Sequence, residues 1–375
     1  MEKLHDTYQL TITTLSPLHI GTGSTLRRGF DYVTHKGQTW VFDAAALAEL
    51  LFDQDPQDFE RMAQGAPAGD LIRDNEYHPD NPIFRYVMKG EPRAVSRGAE
   101  LQEQIKDAWD RPYIPGSSLK GALRTALMYV GWQQRQLQFD PRNLKDNVKF
   151  AAQPLEQQVL GGKPGRPGDA PNFDLLRILQ VSDSNPDEQK RLRLLNVQVA
   201  AGNKTGSPIE LEAIPREVTF TASLTLDGFL RKEEPVRQMG WEEDQLKWIK
   251  AIPRVANHFT KTRLNQELAR WENSGAPIRS FYLTLARTFG ELNERSEFLL
   301  QLGWGGGWDS KTLGDLLTGN SQAFFQVVKR FERQMDRQRS FRKGDRYPKS
   351  RRVIVRDEQP QMPLGWIRVR MERVP

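Results

Sequence analysis

Cysteine is absent from the 375 residues. That excludes disulfides and all thiolate chemistry, and it fits a reducing compartment. Histidine is scarce: there are five, His5, His19, His35, His78 and His258, and no two form a His-x-x-x-His pair. A zinc enzyme is therefore not expected. No apolar run approaches the roughly 18 residues of a membrane-spanning helix, and the N-terminus lacks the apolar stretch of a signal peptide. The expectation is a cytoplasmic protein with no membrane contact. A Walker loop, a Gly-x-Gly-x-x-Gly before a helix and a Gly-x-Ser-x-Gly elbow are all missing, so no cofactor is expected.

What the chain does have is unevenly placed positive charge. Lys and Arg number 54 against 48 Asp and Glu, a net charge of +6. Lys329 to Arg356 alone holds twelve Lys/Arg and three Asp/Glu, which leaves the remainder slightly acidic. A basic segment on a near-neutral body is suited to a polyanion, with RNA or DNA the usual candidates. A solvated basic loop has the same composition.

The length suits two domains, and the element pattern predicts an α+β class. Tyr8, Leu10 and Ile12 alternate with polar neighbours as in a strand, which runs into Ser16 to Gly23. Tyr32 to Phe42 reads as a hairpin, and Asp43 caps a helix through Leu51. About 54–110 reads as an insertion with short helices. A helix follows Pro115 to about Gln136, with Ser117 or Ser118 as its cap and Leu119, Leu123, Leu127 and Val130 as its apolar stripe. Gly161 to Pro171 is punctuated as a loop, and Leu175 to Val181 as a buried element ending in Ser182-Asp183-Ser184. Leu192 to Ala200, Val218 to Leu226 and Trp366 to Met371 read as strands, and Gln245 to Trp271, interrupted at Pro253, and Ile278 to Leu302 as helices. The predicted division is 1–160 and 161–375.

Three segments offer the parts of an anion site. His19-Ile20-Gly21-Thr22-Gly23 supplies unhindered amides and a hydroxyl after a strand, as in a nest; a plain turn fits the same spacing. Ser117, Ser118, Lys120 and Arg124 lie at a helix start, where unpaired amides and the dipole attract phosphate; without a ligand, Lys120 projects into water. Leu302-Gly-Trp-Gly-Gly-Gly-Trp308 places Gly303, Gly305, Gly306 and Gly307 around two tryptophans. Such a run is costly inside an element and suits a close backbone approach, or a helix end with two packed indoles. For catalysis, His19 is the best-placed histidine, and Asp31 precedes a strand as a capping residue would.

In order and joint occurrence these segments resemble RAMP proteins of type III CRISPR systems. Leu15 to Gly23 is similar to the family's first-strand signature, Ile114 to Arg124 to its phosphate-binding helix start, and Leu302 to Trp308 to its glycine-rich loop. Arg177 to Ser184, Tyr347 to Arg352 and Pro363 to Trp366 are similar to the family of the fifth Csm subunit.

The resemblance spans about Tyr8 to Met371. It implies two ferredoxin-like (RRM-related) domains and a subunit without chemistry of its own, capping the 3′-end side of the guide RNA. It further implies contacts to crRNA, to the guide–target duplex and to other Csm subunits, above all the adjacent backbone subunit. It also implies support of crRNA maturation through recruited host exonucleases. By the same resemblance the three segments become RNA contacts, joined by Lys349, Arg351 and Arg352. Asp31 lies where the backbone subunit carries its cleaving aspartate, but Phe30 and Tyr32 depart from that pattern. The alternatives are a repeat-processing RAMP endoribonuclease using His19 or His35, and a RAMP subunit of the Cmr branch.

Overall fold

Alternation at the N-terminus does build a strand. In β1 (His5–Thr14), Leu10 and Ile12 are buried while Gln9 and Thr11 face away. The computed structural model describes residues 5–163, 171–201, 204–314, 316, 321–331, 348 and 350–375. Lys349, most of the basic stretch and the middle of the Gly/Pro-rich loop lie outside the described residues.

After β1 come β2 (Gly21–Arg27), the hairpin β3 (Tyr32–His35) and β4 (Gln38–Phe42), and helices α1 (Ala44–Gln54) and α2 (Pro56–Ala63). Asp43 caps α1 as expected, accepting from the Ala45 and Ala46 amides at 3.0 Å each. The stretch 54–110 is not only helical: β5 (Phe84–Lys89) and β6 (Glu100–Gln104) lie within it. In β5, Phe84, Tyr86 and Met88 point inward and Arg85 and Lys89 outward, a period-2 pattern too short to stand out among prolines and charges. Helix α3 (Gly116–Gln134) buries Leu119, Leu123, Leu127 and Val130, the expected stripe.

Then follow α4 (Gln153–Leu160), β7 (Leu179–Val181), β8 (Arg193–Ala201), β9 (Lys204–Ala213) and β10 (Thr219–Asp227). Helices α5 (Glu233–Met239), α6 (Glu243–Lys250), α7 (Ile252–Arg270) and α8 (Pro277–Gly290) form the next block. Pro253 starts α7 rather than breaking it, because the first turn needs no amide donor there. The chain ends with β11 (Glu297–Gln301), α9 (Ser321–Phe331), β12 (Arg351–Arg356), β13 (Gln359–Pro363) and β14 (Trp366–Arg373).

The helix predicted to continue to Leu302 is a correction: it stops at Gly290, and residues 297–301 form β11. Phe298, Leu299 and Leu300 are consecutive and all buried, because β11 is covered on both faces. Phe298 and Leu300 join the main core, and Leu299 joins a second cluster with Tyr282, Val353 and Trp366.

The fold is α+β with two sheets. The first runs β11-β14-β1-β10-β7, and all its pairs are antiparallel. Its strands follow in the chain order β1, β7, β10, β11 and β14, with α3 between β1 and β7 and α7 between β10 and β11. The second runs β2-β6-β9-β8-β5-β4-β3, with β12 attached to β8 and β13 to β12. Strands do not sort by the predicted 160/161 division. β1 is flanked by β10 and β14, and the second sheet takes β2 to β6 from one side of that point and β8, β9, β12 and β13 from the other.

Candidate nucleic-acid interface

The segment after β1 is half seat and half surface. The His19 imidazole turns inward, only 1% exposed, and its Nδ1–H donates to the Glu212 carbonyl at 2.6 Å. Burial holds its pKa down at about 4, against the pull of that acceptor and with help from nearby Lys106. The Ile20 amide donates to Gln104 Oε1 at 2.9 Å, and its carbonyl accepts from Ile105 at 2.8 Å. Below them the Glu212 carboxylate, fully buried, accepts from Lys106 Nζ (2.6 Å), the Tyr86 hydroxyl (2.6 Å) and the Gln104 amide (2.9 Å).

Gly21, Thr22 and Gly23 are exposed. The expected open nest is corrected: Gly21 pairs with Gln104, so these residues begin β2 at the edge of the second sheet. Thr22 Oγ accepts from the Ser24 amide at 3.0 Å and reaches Glu103 at 3.3 Å.

The glycine-rich loop is laced to this segment through the backbone. Trp304 N–H donates to the His19 carbonyl, Leu302 N–H to the Gly365 carbonyl, and Gly365 N–H to the Pro17 carbonyl, each at 2.8 Å. A Cβ on Gly303 would sit 2.2 Å from the His19 oxygen, and one on Gly365 2.0 Å from the Leu302 oxygen. Both glycines have positive φ, +68° and +85°. The close backbone approach inferred from the sequence is thus, in part, an approach to the chain itself. Gly305 is packed against Leu364 and Gly306 against Ser310, whereas Gly307 faces open space.

The two indoles differ. Trp308 packs against Phe324 and over Gly314. Trp304 is half-buried, edge-on to His19 with centroids 6.1 Å apart, and the Arg352 guanidinium lies 4.4 Å from its ring centre.

Arg351 and Arg352, neighbours on a strand, point to opposite faces. Arg352 is exposed. Arg351 is buried and bonds Glu267 (Nε to Oε1, 2.7 Å) and Asp309. Arg263 completes the group, 3.3 Å from Asp309 and 3.6 Å from Glu267. Burial pushes the Glu267 carboxyl up, but the Arg351, Arg263 and Arg270 charges outweigh it and hold it below the ordinary range. Asp309 directly follows Trp308, so this cluster ties the end of the glycine-rich loop to α7 and β12.

At the α3 start neither serine caps the helix; Pro115 occupies the cap position. The Gly116 amide donates instead to Asp183 Oδ1 at 2.7 Å, and the Ile114 amide to Ser184 Oγ at 2.9 Å. The chain supplies its own carboxylate to the helix dipole. Ser117 is exposed and Ser118 half-buried. Lys120 does not simply project into water, for Nζ donates to the Leu179 carbonyl at 2.7 Å and burial lowers its pKa. Arg124 pairs with Asp174 and Glu156, both at 2.8 Å. Arg124 also lines a cavity of about 460 Å³ with Trp132, Glu156, Trp308 and Lys311, which brings α3 beside the end of the glycine-rich loop.

The other catalytic candidates are placed structurally. Asp31 Oδ2 accepts from the Arg27 amide at 2.7 Å, closing a turn. His35 stacks on Tyr77 with centroids 4.1 Å apart. Sequence reasoning missed the Trp304–Arg352 pair and the Glu212–Lys106 pair beneath His19. Strand alternation at Arg351-Arg352 carried a signal for the first; nothing local links Lys106 to Glu212.

Two laced loops against a first strand, with a glycine-rich loop in the C-terminal half, define the class. The RAMP superfamily pattern matches residues 11–317, and the chain belongs to that superfamily. Within it, the chain is similar over nearly its whole length to Csm5. It is 23% identical to the CRISPR system Csm5 protein of Methanocaldococcus jannaschii, across 97% of this chain and 88% of that one. It superposes with a TM-score of 0.71 and 25% identity on a chain of the type III-A Csm–crRNA–target RNA ternary complex, covering 97% of this chain and all of the other. The crystal structure of T. onnurineus Csm5 shares the fold, with a TM-score of 0.64 and 23% identity over 95% of this chain and 99% of that one.

Proposed function

We propose that this chain is the non-catalytic, crRNA-binding subunit that caps the 3′-end side of the guide in a type III-A Csm complex, supporting crRNA maturation and assembly. One observation carries the reading: the His19–Gly23 segment and the glycine-rich loop are fused by the Trp304–His19 bond into one ridge, with exposed Gly21 to Gly23 and the Trp304–Arg352 pair on it. Exposed amides, a cation and a half-exposed indole suit sugar-phosphate and base stacking without sequence readout. That is what a guide of variable sequence requires. Gly21, Thr22, Gly23, Ser117 and Arg352 are exposed members of the site, while His19, Arg351 and Arg124 hold it in shape.

The non-catalytic reading is supported by His19, whose buried, neutral imidazole is committed to a backbone carbonyl and is poorly placed for general acid–base work on a phosphodiester. The partners in this proposal are crRNA, the guide–target duplex, the adjacent backbone RAMP subunit and recruited host exonucleases. The first sheet would be the ferredoxin-like unit proper and the second its diverged counterpart. The test is co-purification of the tagged full chain from its native operon, with sequencing of bound RNA. CRISPR-derived guides with ragged 3′ ends are expected; recovery of no such RNA, or metal-independent cleavage of repeat RNA lost in His19→Ala or His35→Ala, would overturn the proposal.

A further inference from the structure

The turn between β6 and α3 directs its polar groups inward to hold itself. The Asp107 carboxylate accepts from the Trp109 amide (3.0 Å), the Arg111 amide (2.9 Å) and Arg111 Nε (2.8 Å). Backbone bonds run from Asp107 N to Arg111 O at 2.9 Å and from Asp110 N to Asp107 O at 3.1 Å, and Lys106 bridges Pro112. Asp110 takes the left-handed conformation, φ +60°, that non-glycine residues rarely adopt, and Arg85 of β5 clamps its carboxylate with two bonds. Such a conformation persists only when its surroundings over-determine it.

The residue displayed on this braced turn is Trp109, 70% exposed, with the Arg111 guanidinium 5.0 Å from its ring centre. Arg111 is also held by Asp107, so the indole's setting is fixed before any partner arrives. An exposed indole on a rigid support loses little conformational freedom on binding, and Trp and Arg are among the residue types enriched in the hot spots of protein interfaces.

We propose that Trp109 is the anchor of a protein–protein contact, inserting into an apolar pocket of a neighbouring subunit whose rim offers a carbonyl or carboxylate to the indole N–H. Charge favours protein over RNA. The guanidiniums of Arg85 and Arg111 are each neutralised by a carboxylate of the turn, Asp110 and Asp107, which leaves these pairs no net positive charge to attract phosphate. The proposal rests on membership of a multisubunit assembly but not on which residues touch the guide.

The test co-expresses the full chain with the other Csm subunits and guide RNA, with the affinity tag on another subunit. Retention is followed through a salt and dilution series. Trp109→Ala should weaken retention at least tenfold, and Trp109→Phe should restore part of it. The isolated Trp109→Ala chain should keep its melting temperature and its affinity for guide RNA, since the side chain is exposed. Wild-type retention of Trp109→Ala would overturn the proposal. So would a loss confined to RNA affinity, which would make the indole a base platform instead. A wild-type chain that fails to join the assembly would tell against the membership reading, not against the anchor alone.

Discussion

The Trp304 amide donates to the His19 carbonyl at 2.8 Å, across 285 residues of sequence. Neither side chain makes that bond; it depends on two backbones coming together, and Gly303 is what permits it. The glycine-rich loop is therefore a fastening between β11 and the segment after β1 before it is a surface for anything else. Its two functions separate along the run, with Gly303 pressed against the His19 carbonyl in the fastening and Gly307 facing open space.

Substitution should reveal that division. Gly365→Ala and Gly303→Ala each combine positive φ with a Cβ driven into a carbonyl oxygen. Each is expected to cost about 3 kcal/mol or more. Gly307→Ala, with φ +78° and open space around it, should cost only the left-handed penalty of about 1–2 kcal/mol. Chemical denaturation of the three variants checks this ranking, and equal costs would contradict it.

Arg351 and Arg352 should behave oppositely despite adjacency. Arg351→Ala leaves Glu267 and Asp309 buried with only part of their compensation, and about 3 kcal/mol of stability is expected to go. Arg352→Ala removes an exposed guanidinium from the Trp304 ring and should cost no more than about 1 kcal/mol. On the proposed function it should instead weaken guide binding similarly for all sequences and lower the salt slope by about one. Melting curves and a salt titration of RNA affinity distinguish the two.

Much of the fold was legible where one local rule decides the outcome. The β1 alternation, the Asp43 cap and the α3 stripe each follow from neighbouring residues alone. Failures came where a distant segment decides. Phe298-Leu299-Leu300 has no helical or strand period because both faces of β11 are covered, by different clusters. β9 went unseen because Glu210 and Glu212 interrupt it, and Glu212 is tolerable only because Lys106, Tyr86 and Gln104 meet it there. The α3 cap was placed on its own serines, whereas the carboxylate arrives from Asp183. At the candidate site, residue types do not say which side chains turn inward: His19 and Arg351 are buried, whereas Gly21 and Arg352 are exposed.

Arg124 tests whether the helix start is held by the chain's own acids. It joins Asp174 and Glu156 across α3 and α4 in partly exposed ion pairs. Arg124→Ala should cost on the order of 1 kcal/mol, and in a double-mutant cycle with Glu156→Ala the two losses should be less than additive. Lys120→Ala should cost a similar amount through the lost bond to Leu179 O. If Arg124→Ala were to leave stability untouched while abolishing guide recovery, the ion pairs would be secondary to an RNA role.

His19 gives the fold a pH dependence whose sign is fixed. Its folded pKa, held by burial at about 4, lies below the ordinary 6.5. Between those values the unfolded chain binds the proton and the folded one does not. The stability associated with the neutral, buried imidazole is therefore complete above pH 6.5 and is lost as pH falls toward 4. The separation corresponds to roughly 3 kcal/mol at the lower limit. His19→Asn keeps a donor for the Glu212 carbonyl but does not titrate, so it should flatten this part of the profile while lowering overall stability through lost packing. Denaturant unfolding at intervals from pH 7.5 to 4 checks it, and a wild-type profile parallel to that of His19→Asn would show that the imidazole is not the group responsible.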